Sequence, residues 1–211
     1  MGGMGFDEAA AAVIHAGRAA AARGWVPATS GNFSVRLDGG RMLVTRLGRD
    51  KGRLTPADLA EVAIDGPAPA GTSAETPLHQ ALYRDDPAIG AIFHVHSPAS
   101  MLISHLRAGD GVLELAGWEL QKAFAGITTH DVTVTVPVFP NDQDTVALAG
   151  RVSAHLATPR PAGQVAAPGY LLAGHGIYAW GADLVSARRH LEGWEFLLAC
   201  ELQRRQLENK R

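Results

Sequence analysis

The 211-residue chain has one cysteine, Cys200, so an internal disulfide is not available to it. That fits a reducing cytoplasm, the expected location. Cys200 lies in a helical pattern beside Leu198 and Leu202, where core packing accounts for it. No apolar run approaches the roughly 18–20 residues needed to cross a bilayer. The opening MGGMGFDEAA has no basic stretch leading into an apolar one, so neither a membrane span nor a signal peptide is expected. An excess of charge is missing too: 19 Lys and Arg against 21 Asp and Glu leave a net −2. Without a basic patch or run, nucleic acid and anionic membranes are not expected partners. Repeats, low-complexity segments and interdomain linkers are absent. What is present, 46% hydrophobic and 19% charged residues, is the composition of one globular domain over residues 1–211 with a sizeable core.

Patterning supplies the elements. Asp7 can cap a helix reaching about Arg23, with Gly24 as its stop. In NFSVRLDGGRMLVTR, Phe33, Val35 and Leu37 alternate with polar residues around an Asp38-Gly39-Gly40 turn, which predicts a hairpin. Thr55-Pro56 begins a short helix, Glu61 to Asp65 reads as a strand, and Thr76-Pro77 opens a helix ending near Asp85. Ala88 to His96 is a buried strand, followed by a helix from Ser97-Pro98. Asp131 to Phe139 alternates valines with threonines. A helix over about 142–156, a Pro/Gly/Ala loop, strands at 170–172 and 177–180, and a long helix from Asp183 to about Gln206 complete the chain. Because the early hairpin demands antiparallel pairing, this is not a pure βαβ array.

The strand IFHVHSP carries two histidines one residue apart. Side chains at i and i+2 share a face, so His94 and His96 point the same way. They are either two satisfied core side chains or two ligands converging on one metal ion. A catalytic zinc takes a third protein ligand and leaves a position open. His15, His79, His105, His130, His155 and His190 mostly fall where a helix places a half-exposed polar side chain. His175 differs, lying between two glycines after an apolar strand, where the backbone can turn and aim a side chain into a cleft.

ATSGNFSVR (28–36), SAETPLH (73–79), FHVHSPAS (93–100) and GHGIYAWG (174–181) resemble, in order and spacing, the class II zinc-dependent sugar-phosphate aldolases and their relatives. The resemblance spans about residues 7–205. Within that family, GRDKGRLTPADL (48–59), WELQKAFAG (118–126) and the segment from Gly174 to Leu202 are most similar to the methylthioribulose-1-phosphate dehydratases of methionine salvage. It implies a single three-layer α/β/α domain with a central, largely antiparallel sheet. It also implies one Zn²⁺ per subunit on His94, His96 and His175, and a homotetramer with sites near subunit interfaces.

The implied substrate is 5-methylthioribulose 1-phosphate, whose C3 proton is acidic because it lies α to the C2 ketone. A Lewis acid at the C2 oxygen favours loss of that proton, the C4 hydroxyl leaves, and the enol becomes a 2,3-diketone. Glu119 matches the acid/base glutamate of the dehydratases; otherwise it is an exposed carboxylate favoured at a helix start. Glu75 matches the position of the aldolase base; otherwise it is a first-turn carboxylate of the helix at Thr76-Pro77, or a fourth metal ligand. Ser30, Gly31, Asn32, Gly48 and Ser73 match phosphate-binding positions. Leu47 departs from the pattern, standing where relatives often carry Ser or Thr, and removes one hydroxyl. Arg49 and Lys51 can compensate, or are solvated surface charges. The rival readings are another zinc-dependent aldolase or epimerase of this family and, from a different class, a non-enzymatic adducin-type module, which lacks the full metal set.

Overall fold

The computed structural model describes residues 4–159, 164–166, 168–208 and 210. Residues 160–163 and 167, in the stretch expected as a Pro/Gly/Ala loop, lie outside them. Five helices flank one sheet: α1 (Phe6–Ala22), α2 (Thr76–Asp85), α3 (Pro98–Leu106), α4 (Thr145–Leu156) and α5 (Leu184–Glu208). The strands are β1 (Asn32–Leu37), β2 (Arg41–Thr45), β3 (Leu59–Ala63), β4 (Ala91–Val95), β5 (Val112–Leu115), β6 (Thr133–Phe139), β7 (Gln164–Ala166), β8 (Gly169–Leu172) and β9 (Gly176–Gly181). Their order is β3-β2-β1-β4-β9-β8-β6-β5, with β7 also paired to β6. Among the described residues only the pairings of β6 with β7 and β8 are parallel, so the sheet is largely antiparallel as expected.

Strand alternation separates two cores. Phe33, Val35, Phe93, Val95, Ile177 and Ala179 face one way, against α1 residues such as Val13 and α5 residues such as Trp194 and Leu198. Met42, Val44, Ile92, Tyr170 and Tyr178 face the other way, against Leu78 and Leu82 of α2 and Leu148 and Val152 of α4. The result is three layers. Both strand faces are covered, which is why the threonine side of β6 is not solvated and Thr135 is buried.

Two short strands escaped the sequence reading. β5 has four residues at the sheet edge and β7 has three, too few for a period to register. The proline at Thr55-Pro56 starts only a 3-10 turn, Pro56–Asp58, closed by Asp58 bonding back to Thr55. Among the described residues no helix is long and apolar enough to cross a membrane.

The centre of the sheet is tight. A Cβ on Gly176 would lie 2.1 Å from the Val95 carbonyl oxygen, so β4 and β9 approach this closely only with glycine there. Gly150, in α4, has open space around the same position. Gly176→Ala is therefore expected to lower stability by about 1–3 kcal/mol through overpacking. Gly150→Ala should raise it by about 0.5–1 kcal/mol through helix propensity. Urea denaturation of both variants checks the contrast, which disappears if the β4–β9 approach is slack.

Candidate metal centre

β4 ends by delivering its two histidines. Asn32 pairs with His94 across β1–β4, and His94 pairs with Tyr178 across β4–β9. His94 therefore points toward the α2/α4 side with Ile92, while Val95 enters the opposite core. His96 lies one residue past the strand, held by its N–H donating to the Trp25 carbonyl at 2.8 Å. His175 sits in the β8–β9 turn, where Gly174 takes φ +64° and reverses the chain.

The three rings converge. His94 Nε2 is 2.8 Å from His96 Nε2 and 3.4 Å from His175 Nε2. Glu75, at the N-cap of α2, brings Oε2 to 3.3 Å from His94 Nε2 and Oε1 to 3.2 Å from His175 Nε2. Ligand atoms of all four residues lie within 4.8 Å of one another. The ring orientations are fixed from outside: His94 Nδ1–H donates to the Ile177 carbonyl at 3.0 Å, and His175 Nδ1–H to Asn141 Oδ1 at 3.1 Å. Tyr178 stacks on the His94 ring at 4.1 Å.

These partners leave the Nε2 lone pairs of His94 and His175 facing inward, as metal-binding imidazoles require. Burial, with His175 adding to it, holds His94 well below the usual histidine range. Burial and the neighbouring imidazoles lower His96 to about 3. Lone pairs crowded at such distances repel one another unless a cation sits among them, so the donor set fits a divalent metal with nitrogen and carboxylate ligands.

A cavity of about 340 Å³ opens beside the cluster, and Ser30, Gly31, Asn32, Gly48, Ser73, Glu75, His96 and His175 all line it. The sequence-selected residues other than Glu119 and Arg49 are thus gathered here, since His94 touches its neighbours in the cluster; Arg49 is exposed and pairs with Asp58 at 3.4 Å. Gly31 has φ +72°, and a Cβ there would meet the His94 carbonyl oxygen at 2.6 Å. The residues before it, Ala28 and Thr29, also have positive φ, a costly conformation outside glycine. Ser30 Oγ is buried without a hydrogen-bond partner among the described residues, a hydroxyl placed to meet an anionic ligand.

Lys51 is not a solvated charge. It is 2% exposed, its ammonium donates to the Thr29 and Arg49 carbonyls at 2.6 and 2.9 Å, and it lines the cavity. Burial lowers its pKa to about 8, against the opposing charges of Asp50 and Glu75. Leu47 also lines the cavity, and its side chain supplies no polar atom.

Glu119 lies elsewhere. It starts a 3-10 turn (Glu119–Ala123) after β5, is 71% exposed, and pairs with Lys122 at 2.6 Å and His130 at 3.4 Å. The Lys122 ammonium holds its carboxyl below the usual range. Four strand steps separate β4 from β5, roughly 19 Å at about 4.8 Å per strand. Sequence reasoning missed Asn141, which carries no local motif, and Tyr178, which lies inside GHGIYAWG but was passed over for His175. It also missed His79, which is fully buried, although its spacing from Glu75 places both at one end of α2.

The class II aldolase and adducin N-terminal domain family matches residues 11–202. The chain belongs to that family. A methylthioribulose-1-phosphate dehydratase of Bradyrhizobium sp. strain BTAi1 is 58% identical over 88% of this chain and 86% of its own. Another protein of that name, from Parvibaculum lavamentivorans, is 48% identical over 94% of this chain and 95% of its own. Among solved structures, the L-fuculose-1-phosphate aldolase of Thermus thermophilus superposes with a TM-score of 0.77 at 29% identity. That match covers 97% of this chain and 99% of the aldolase.

Metal binding is the direct test of the cluster. Wild-type protein loaded with a divalent transition metal and desalted should retain about one ion per chain by elemental analysis. His94→Ala, His96→Ala and His175→Ala should each lower that ratio while keeping the helical circular-dichroism signal. Full retention by all three variants would show the ion held elsewhere.

Proposed function

We propose that this chain is a lyase that dehydrates 5-methylthioribulose 1-phosphate to the 2,3-diketo-5-methylthiopentyl 1-phosphate, with one Zn²⁺ per subunit. The observation that carries the reading is a three-imidazole cluster opening onto an anion-suited cavity, in a chain so similar to proteins named for that activity. His94, His96 and His175 would hold the zinc, with Glu75 beside it. When bound, the metal supplies Lewis acidity toward the substrate's carbonyl oxygen.

The chain's own groups do the rest. Ser30, Asn32 and Ser73, the backbone at Gly31 and Gly48, and the Lys51 ammonium bind the C1 phosphate. Lys51 takes over the contact that Leu47 cannot make. Two of its three N–H donors are used on backbone carbonyls, which fixes the ammonium and leaves the third for the ligand. A carboxylate takes the C3 proton, and a proton must reach the departing C4 hydroxyl. Glu119 is the proposed acid/base. It is ionised and exposed, away from the cavity of its own chain, and would act in the site of a neighbouring subunit of a homotetramer. The second reading, an aldolase-like use of the site, is favoured by Glu75, the carboxylate that sits at the cluster within one chain.

Turnover of the methylthio sugar without release of a two- or three-carbon fragment supports the dehydratase; fragment release supports the aldolase. Glu119→Gln should lower kcat by about 10²–10⁴-fold with metal retained. Subunits of inactive Glu119→Gln and inactive His94→Ala, unfolded and reassembled together, should regain part of the activity, because some mixed sites are then intact. No recovery would place Glu119 outside the neighbour's site.

Lys51 generates a pH prediction. Without the metal its ammonium is protonated below about 8 and neutral above, and a bound dication would move that point lower. The kcat/KM for the phosphorylated substrate, which reports free-enzyme groups, should therefore fall as pH rises through that lowered value. Lys51→Met should show a low kcat/KM without that alkaline limb. An unchanged limb in the variant assigns it to another group.

A further inference from the structure

The carboxylate at the cluster is held from behind. Asn32 Nδ2–H donates to Glu75 Oε2, and Oδ1 of the same amide accepts from His79 Nε2. His79 Nδ1 lies 2.7 Å from Ser34 Oγ, which lies 2.9 Å from the Tyr83 hydroxyl. His79, Ser34 and Tyr83 are buried, and the Tyr178 ring packs T-shaped against His79 with centroids 5.6 Å apart. Burial takes His79 down to about 4, with Glu75 opposing, so the ring is neutral.

A neutral imidazole has one N–H. Asn32 Oδ1 can only accept, so that proton is on Nε2. Nδ1 must then accept from the Ser34 hydroxyl, which in turn accepts from Tyr83, a phenol that burial keeps protonated. Every donor direction is forced by its neighbour. The series runs one way, from Tyr83 through Ser34, His79 and Asn32 to Glu75. Without His79, the Asn32 amide could turn over and present its oxygen to the carboxylate, a repulsive contact.

We infer that His79 is a positioning residue: its Nε2–H locks the Asn32 amide, and the locked amide aims the Glu75 carboxylate at the site. This rests on the reading that Glu75 works at the metal centre. It gives a function to a buried histidine that touches neither cluster nor cavity.

Two variants separate this from plain core packing. The amide nitrogen of Gln falls near the place of Nε2, and that of Asn near Nδ1. His79→Gln keeps a donor toward Asn32, whereas His79→Asn keeps only the Ser34 side. With the methylthio sugar as substrate, kcat should fall about 10–100-fold in His79→Asn and be largely preserved in His79→Gln. Bound metal per chain should equal wild type in both. Equal kcat in the two variants, or loss of metal in His79→Asn, overturns the inference. The His79 ring-nitrogen shifts in ¹⁵N-histidine-labelled wild-type protein give a test that needs neither substrate nor mutation. An Nε2–H tautomer supports the inference, and an Nδ1–H tautomer or an imidazolium overturns it. If wild type does not dehydrate the sugar, the functional reading fails, and the tautomer still decides the role of His79.

Discussion

The close approach of β4 and β9 is the contact on which the site depends. His94 lies on one strand, His96 just past its end, and His175 in the turn before the other, 79 residues after His96 in the chain. Only the register Val95↔Ile177, His94↔Tyr178 brings them within reach. A slip by one residue would turn His94 into the α1/α5 core and send Val95 to the donor side. That register is over-determined. Gly176 admits the Val95 carbonyl, Ile177 receives the His94 Nδ1–H, and Tyr178 stacks on the same ring. The two cores on either side clamp the pair, so the donor geometry is a consequence of the whole fold and not of a loop.

Electrostatics constrain the rest of the cavity. A buried Lys51, a half-buried Glu75, a buried His94 and the half-buried His96 and His175 share one small volume. Burying an unpaired charge is costly, and each here is tempered: the ammonium by two carbonyls, the carboxylate by the Asn32 amide, the His94 and His96 rings by neutrality. On the proposed reading, binding would complete the balance. A dication and an ammonium on one side meet a carboxylate and a phosphate of about −1.5 to −2 on the other. Zinc and substrate phosphate would then favour each other's binding through charge alone, with no movement of the fold.

Much of this is legible in the sequence because it is local. Alternation at IFHVHSP places two histidines on one face, glycines around His175 mark a turn, and Thr76-Pro77 sets Glu75 at a helix start. What is not legible is what depends on distant partners. Lys51 looks like surface charge because a single lysine in a polar, glycine-flanked stretch carries no sign of burial. Its immersion follows from α1 and the strained 28–31 loop folding over it, where its ammonium meets the Thr29 carbonyl. His79 looks like a half-exposed helical residue, yet it is sealed by β1 and β9 and paired to Asn32 and Ser34, some 45 residues earlier. Asn32 matched a phosphate-binding position, and it lines the cavity, but both ends of its amide are also engaged in holding Glu75.

The sheet order sets the remaining question of where the second carboxylate acts. The donor cluster sits on β4 and β9 at the sheet's centre, while Glu119 follows β5, the edge strand. A central strand is rigid and shielded, which favours holding donors at fixed separations. An edge is exposed, and the turn after it can meet another molecule. Glu119 is ionised, open to solvent, and steadied by Lys122 and His130 on its own chain, so it is pre-oriented outward and not toward its own cavity. On the proposed reading, one face of the chain presents metal and phosphate donors and another presents the proton carrier. The two meet only when one copy's edge docks beside another copy's cavity, which ties catalytic competence to assembly.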